Sequence, residues 1–160
     1  MSNVRQHEAM LESLAQLRNA RRKAFFGTRP MWHEHAAITH EALELVSKNL
    51  GVPLPPDLAS FLLELGYGDI NDELSFRQDW FALVDRGQLV GHIIFAMDDR
   101  GNLYTADPNS GAIHYLERFE PGYRLLAPSF CEFLREVAVR KFEVVAWAES
   151  QSLTPYERVA

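Results

Sequence analysis

Trp32-His33-Glu34-His35, with His40 five residues beyond, is the part of this sequence richest in side chains that could do chemistry. A helical zinc protease motif needs its second histidine four residues after the first. Ala37 stands at that position, so the motif is not formed. A His-x-His pair could still hold a metal from a strand or loop. The spacing instead predicts a helix opening near Glu34, on which His33 and His35 turn to different sides, and no nearby acid completes a ligand set. The cluster therefore reads as the surface of a helix start. Cys131 is the single cysteine and lies between Phe130 and Phe133, where a small buried hydrophobe is expected. A helix N-terminus would lower its pKa if it were exposed, but no neighbouring His or Asp supports a nucleophile. Gly66-x-Gly68 follows a helical stretch, not a strand, and lacks the third glycine of a nucleotide fingerprint. There is no Walker loop and no Gly-x-Ser-x-Gly. The expectation is a chain that is not an enzyme and has no metal or other cofactor.

Charge points toward a binding role. The net charge is −6. Residues 1–30 carry six cations against Glu8 and Glu12, while residues 64–107 carry nine acids against Arg77, Arg86 and Arg100. An acidic face repels nucleic acid and attracts basic partners, although aspartates also serve as ordinary turn residues on a solvated surface. Asp69, Asp72, Glu73, Asp98 and Asp99 fall in two predicted loops, and loops carry recognition more often than strands. Tyr67 stands between two glycines in the first of these loops and is the candidate anchor, unless it folds back on the core. These six residues are the candidate partner-binding set. The basic cluster at Arg18, Arg21, Arg22 and Lys23 suits the negative end of a helix dipole and makes a small footprint for nucleic acid.

The elements follow from periodicity. Met10, Leu11, Leu14 and Leu17 make the stripe of an amphipathic helix from Asn3 to about Phe25, ended by Gly27 and Pro30. That stripe must be covered, by the domain itself or by a second copy in a weak homodimer. A second helix is predicted over Glu34 to Asn49, with Gly51 stopping it. Pro55 or Pro56 should open a third through Leu65, burying Leu58, Phe61, Leu62 and Leu65. Residues 66–72 read as a loop. Trp80–Val84, Leu89–Ala96, Leu103–Ala106 and Ala112–Leu116 read as strands joined by tight turns, hence an antiparallel meander. Ser129 and Glu132 form a capping box for a final helix continuing to about Trp147. Phe61, Phe95, Phe130 and Phe133 are the expected core. The tail from Gln151 is polar and expected to be loose. Helices, then a meander, then a helix means α+β, with an antiparallel sheet of about four or more strands and helices on one face. The expected divisions are an N-terminal helical extension (1–30), an α+β domain (31–147) and a tail (148–160). No secretory leader is recognised, no apolar run is long enough for a membrane, and a reducing cytoplasm is the expected home.

Leu50-Gly51-Val52-Pro53-Leu54-Pro55-Pro56-Asp57-Leu58-Ala59-Ser60-Phe61-Leu62 resembles the N-terminal signature of the SUKH (SMI/KNR-like) superfamily. The resemblance continues through Gly66-Tyr67-Gly68-Asp69, Ile93-Ile94-Phe95-Ala96, Gly101-Asn102-Leu103-Tyr104, Gly111-Ala112-Ile113-His114-Tyr115 and Ala127-Pro128-Ser129-Phe130-Cys131-Glu132-Phe133-Leu134. It covers about residues 36–145, and Leu58 stands where an aromatic is usual. These motifs are core and turn residues, so they locate a fold and not a binding site. What the resemblance implies is an α+β domain with no catalytic residues. Most bacterial members look like immunity proteins that bind a cognate toxin, often a nuclease, and eukaryotic relatives act as regulatory interaction hubs. Nuclease toxins tend to be basic, which the acidic middle of this chain would complement.

Overall fold

The computed structural model describes residues 3–119 and 122–156. Helix α1 (Asn3–Asn19) leads into a hairpin of β1 (Arg21–Lys23) and β2 (Thr28–Pro30). Then follow β3 (Trp32–Ala36), α2 (His40–Leu50), α3 (Pro56–Leu65), β4 (Tyr67–Ile70), β5 (Leu74–Phe76) and β6 (Ala82–Leu83). The chain continues through β7 (Ile93–Asp98), β8 (Leu103–Ala106), β9 (Ile113–Glu117), β10 (Gly122–Ala127), α4 (Phe130–Val139), α5 (Val144–Ser150) and β11 (Thr154–Pro155). The nine-stranded antiparallel sheet runs β11-β10-β9-β8-β7-β5-β4-β3, with β6 also paired to β7. The fold is α+β, with the N-terminal helix preceding the sheet.

Local chemistry explains most helix limits. Pro56 opens α3 where its missing N–H costs nothing, and Gly66 closes it at φ 82° with its N–H on the Leu62 carbonyl. Thr39 caps α2 through its hydroxyl, which accepts from the Ala42 N–H at 3.1 Å. Ser129 does the same for α4, accepting from the Glu132 N–H at 3.1 Å. Leu58, Phe61, Leu62 and Leu65 of α3 are buried, as are Phe95, Phe130 and Phe133. Phe133 lies with its ring centroid 5.6 Å from that of Phe130, 5.7 Å from Trp147 and 6.3 Å from Phe95. Met10, Leu14 and Leu17 are buried on the domain itself, largely against α4, while Leu11 faces solvent. A smaller core of Val84, Leu89, Leu116 and Tyr156 covers part of the other face of the sheet.

Six local expectations are corrected. The first helix stops at Asn19, six residues before Phe25. Arg18, Arg21 and Arg22 would have been like-charged neighbours on one helix face. In the hairpin they find acceptors instead: Arg21 bonds the Thr28 hydroxyl at 2.8 Å, and Arg22 bonds the Asn71 carbonyl at 2.7 Å. Residues 32–36 form an edge strand, not the start of a helix, and residues 67–70 are a strand, not a loop. These two changes have one cause. Gly68 has no side chain, and a Cβ there would meet the Trp32 ring at 2.7 Å and the His33 carbonyl oxygen at 2.3 Å. The glycines that bracket Tyr67 therefore make room for β3. Trp80 closes a short 3-10 turn over Gln78–Trp80, so the strand after it shrinks to Ala82–Leu83. The last helix breaks after Val139, where Lys141 and Phe142 take φ of 54° and 64°. Bulky residues adopt this conformation only when packing holds them there, and Phe142 is buried. Finally, the tail is not loose as far as Tyr156. Gly122 pairs with Pro155, and the buried Tyr156 hydroxyl donates to the Arg86 carbonyl at 2.5 Å.

Candidate partner-binding surface

The turn Asn71–Glu73 joins β4 to β5, with the Glu73 N–H on the Ile70 carbonyl at 2.9 Å. Asn71 and Asp72 both take φ of 55°, the backbone of the tight hairpin turn that asparagine and aspartate tolerate. The turn Asp98–Gly101 lies beside it, because Leu74 of β5 pairs with Asp98 of β7 and the Asp99 N–H donates to the Glu73 carbonyl at 2.8 Å. The fold thus brings the two acidic segments to one end of the sheet.

Most of these acids face inward. Asp69 accepts from the Ser75 hydroxyl at 2.5 Å and pairs with His35 Nε2 at 2.8 Å, with Arg77 3.8 Å away. Asp72 lies between Arg29 at 2.7 Å and Arg22 at 3.3 Å, and its side chain is half-exposed. Glu73 caps α5, its carboxylate accepting from the Val144 N–H at 2.9 Å. Asp98 is 5% exposed, and one of its oxygens accepts from the Arg100 and Asn102 N–H groups at 2.9 Å each. Burial raises the Asp98 pKa, although those two hydrogen bonds work the other way. Tyr67 is 8% exposed in β4, and burial, with Asp79 adding to it, raises its pKa. Its ring packs against the core, 6.3 Å from Phe81, so the exposed loop anchor expected from the sequence is a core residue. Of the six candidate residues, Asp99 and Asp72 are the ones that reach solvent well.

The histidine pair lies on the exposed edge of β3, with ring centroids 5.0 Å apart. His40 is separate, as the first residue of α2. Among the described residues no group of three or more His, Cys, Asp or Glu side chains is placed to hold a metal ion. His35, Asp69 and Ser75 do form a connected array, but the carboxylate is in its middle. Acyl transfer needs the imidazole next to the hydroxyl, to take its proton. Arg77 also approaches His35 Nε2 at 3.2 Å, on the same ring nitrogen that faces Asp69. Cys131 is buried with its N–H on Asp57 at 2.9 Å, and burial, followed by that carboxylate, raises its pKa away from the thiolate.

Two groups of residues escaped the sequence reading. His92 and His114 face each other across the sheet at 5.4 Å, half-covered, and burial lowers both pKa values. Phe25 and Phe26 form the tip of the β1–β2 hairpin, 95% and 85% exposed, their rings edge-on at 4.8 Å. Phe-Phe followed by Gly was visible in the sequence as a turn with apolar residues in it, the one signal that could have marked this tip.

An antiparallel sheet backed by helices, with its motif residues in core and turns and Asp69, Glu73 and Asp98 tied into the fold, defines a small α+β domain with no assembled catalytic group among the described residues. The chain belongs to the SMI1/KNR4 family (SUKH-1), whose family model matches residues 37–136. Searches of curated proteins and of solved structures give no match. The match begins after β3, so α1 and the hairpin lie outside it. Among the described residues, no helix is long and apolar enough to cross a membrane.

Proposed function

We propose that this chain is a non-catalytic protein-binding domain that neutralises a cognate bacterial toxin. The observation that supports it is the family match over residues 37–136, because domains of this family are commonly immunity proteins. The arrangement of the chemistry-bearing side chains agrees: His35, Asp69 and Ser75 are engaged with one another in an order unsuited to acyl transfer, and Cys131 is buried. A basic nuclease-type toxin fits the net charge of −6, which would steer such a partner in solution. Direct contact through the acidic turns would rest on Asp99 and Asp72, with Asp69 and Glu73 supporting them from within. Tyr67 and Asp98 are too covered to touch a partner unless the turns move. The cytoplasm is the compartment in which such an inhibitor would act.

The test is co-expression with the product of the adjacent gene. Growth should be restored when this chain accompanies a toxic neighbour, and the two purified proteins should form a stoichiometric complex. A toxic neighbour that this chain neither binds nor silences would overturn the reading.

A further inference from the structure

One face of the molecule is unlike the rest. The hairpin is clamped from one side, where Arg22 and Arg29 meet Asp72 and Arg22 also bonds Asn71. Arg21 is tied across the strands to Thr28, by 2.8 Å and 3.1 Å hydrogen bonds to its hydroxyl and carbonyl. The hairpin is therefore pre-shaped, yet its tip offers Phe25 and Phe26 to solvent. Leaving two whole phenylalanine rings in water is unfavourable compared with burying them. At the foot of the hairpin lies a groove of about 440 Å³, lined by Ala20, Arg21, Met31, Val139, Lys141 and Phe142. Val139 is 67% exposed at its edge. Lys23 and Lys141 are exposed and enter none of the ion pairs within 4 Å among the described residues.

We propose that the hairpin tip and this groove are a docking site for an acidic protein segment carrying apolar side chains. The apolar side chains would fill the groove and meet Phe25 and Phe26, and the carboxylates would meet Lys23, Lys141 and Arg21. Charge chooses the occupant. A second copy would bring the same cations to the same face, and like charges oppose that pairing. A polyanion such as an anionic bilayer or a nucleic acid presents charge over a wide area, which a chain of net charge −6 repels. A peptide segment needs only local complementarity. The fixed hairpin limits the ordering entropy that binding would otherwise cost. The proposal rests on the broader part of the reading above, that the chain binds a protein, and not on that protein being a toxin.

The experiment uses the full chain as bait for a displayed library of random peptides, and measures synthetic versions of those recovered by titration. Acidic sequences containing aromatic or aliphatic residues should be enriched. Their affinity should fall at least tenfold in a Phe25→Ser, Phe26→Ser variant, and again in a separate Lys23→Glu, Lys141→Glu variant. All four residues are exposed, so both variants should keep the wild-type far-ultraviolet spectrum and melting temperature. Recovery of no such peptide, or equal binding by wild type and variants, overturns the proposal. So does sedimentation of the wild type, but not the serine variant, with phosphatidylserine vesicles, which would assign the face to lipid. A wild type that binds the peptides while failing to silence its neighbour sinks the toxin reading alone. One that silences its neighbour without binding any peptide sinks this proposal alone.

Discussion

The Asn71–Glu73 turn and the Ala24–Gly27 turn join antiparallel strands over similar lengths, and each includes backbone in the left-handed region. Their side chains do opposite things. Asn71, Asp72 and Glu73 are polar, and all three are held by distant parts of the chain: Arg22, Arg29, the Phe142 carbonyl and the start of α5. Phe25 and Phe26 are apolar and stand in water. A residue's type sets what it can bond, but the groups the fold places opposite it decide whether it is used inside or displayed. The two turns are also linked, since the arginines at the hairpin's base are the cations that neutralise Asp72. Acids that looked like recognition chemistry thus fix the position of the segment that carries the exposed rings.

That contrast can be broken most easily at phenylalanines. Phe133→Ala should lower unfolding free energy by about 3–5 kcal/mol, the usual range for a buried ring. Phe25→Ala should change it by less than about 0.5 kcal/mol, as an exposed substitution does. Urea titrations giving the two variants similar midpoints would end the distinction. At the acidic turn, Glu73→Ala removes the cap of α5 and should cost about 1–2 kcal/mol, while Glu73→Gln keeps an acceptor and should recover most of that. Equal losses would show that the carboxylate's charge, and not the hydrogen bond, holds the helix.

Asp98 offers a pH test. Its folded pKa is raised, so its protonated form is favoured in the native state. The stability it contributes is full below the ordinary value of 3.8 and is lost as pH rises through the folded value. Asp98→Asn cannot lose a proton. Its stability relative to wild type should therefore improve from pH 3.5 to 7, read from melting temperatures, and a constant difference would contradict this. The smallest effect is expected at Asp72. Its pairs with Arg22 and Arg29 are half-exposed and screened, so Asp72→Ala should cost well under about 1 kcal/mol. Trypsin should nevertheless cut faster within Arg21–Lys23, because the hairpin loses its clamp. Unchanged cleavage would mean that Asn71 alone holds it.

The sequence made some of this legible. The limits of α3, its four buried residues, the cap at Ser129 and the turns around Gly101 and Gly111 depend on neighbours a few residues away, and pattern reading found them. What it missed depends on contacts across the chain. Trp32–Ala36 has the composition of a helix start until Gly68 opens a place for it on β4. Arg21–Phe25 reads as the end of a helix until Asn71 and Asp72 draw Arg22 and Arg29 aside. The break at Lys141–Phe142 follows from Glu73 and Asn71, some 70 residues earlier, taking up the exposed backbone groups on either side. Tyr67 reads as an anchor because a glycine stands on each side of it, but those glycines serve the strand packed beside it, and the alternative, that the ring folds back on the core, is the one found.

The packing of α1 on α4 has a consequence in time. Met10, Leu14 and Leu17 find their cover around Phe130–Val139, about 120 residues further along the chain. A ribosome adding roughly 5–20 residues per second needs on the order of 6–24 s to make that stretch. Throughout that interval this apolar stripe has α3 beside it but not the larger cover that α4 supplies. Helix α1 is therefore among the last of the described elements able to settle fully, and its apolar stripe stays partly uncovered until the ribosome has delivered α4.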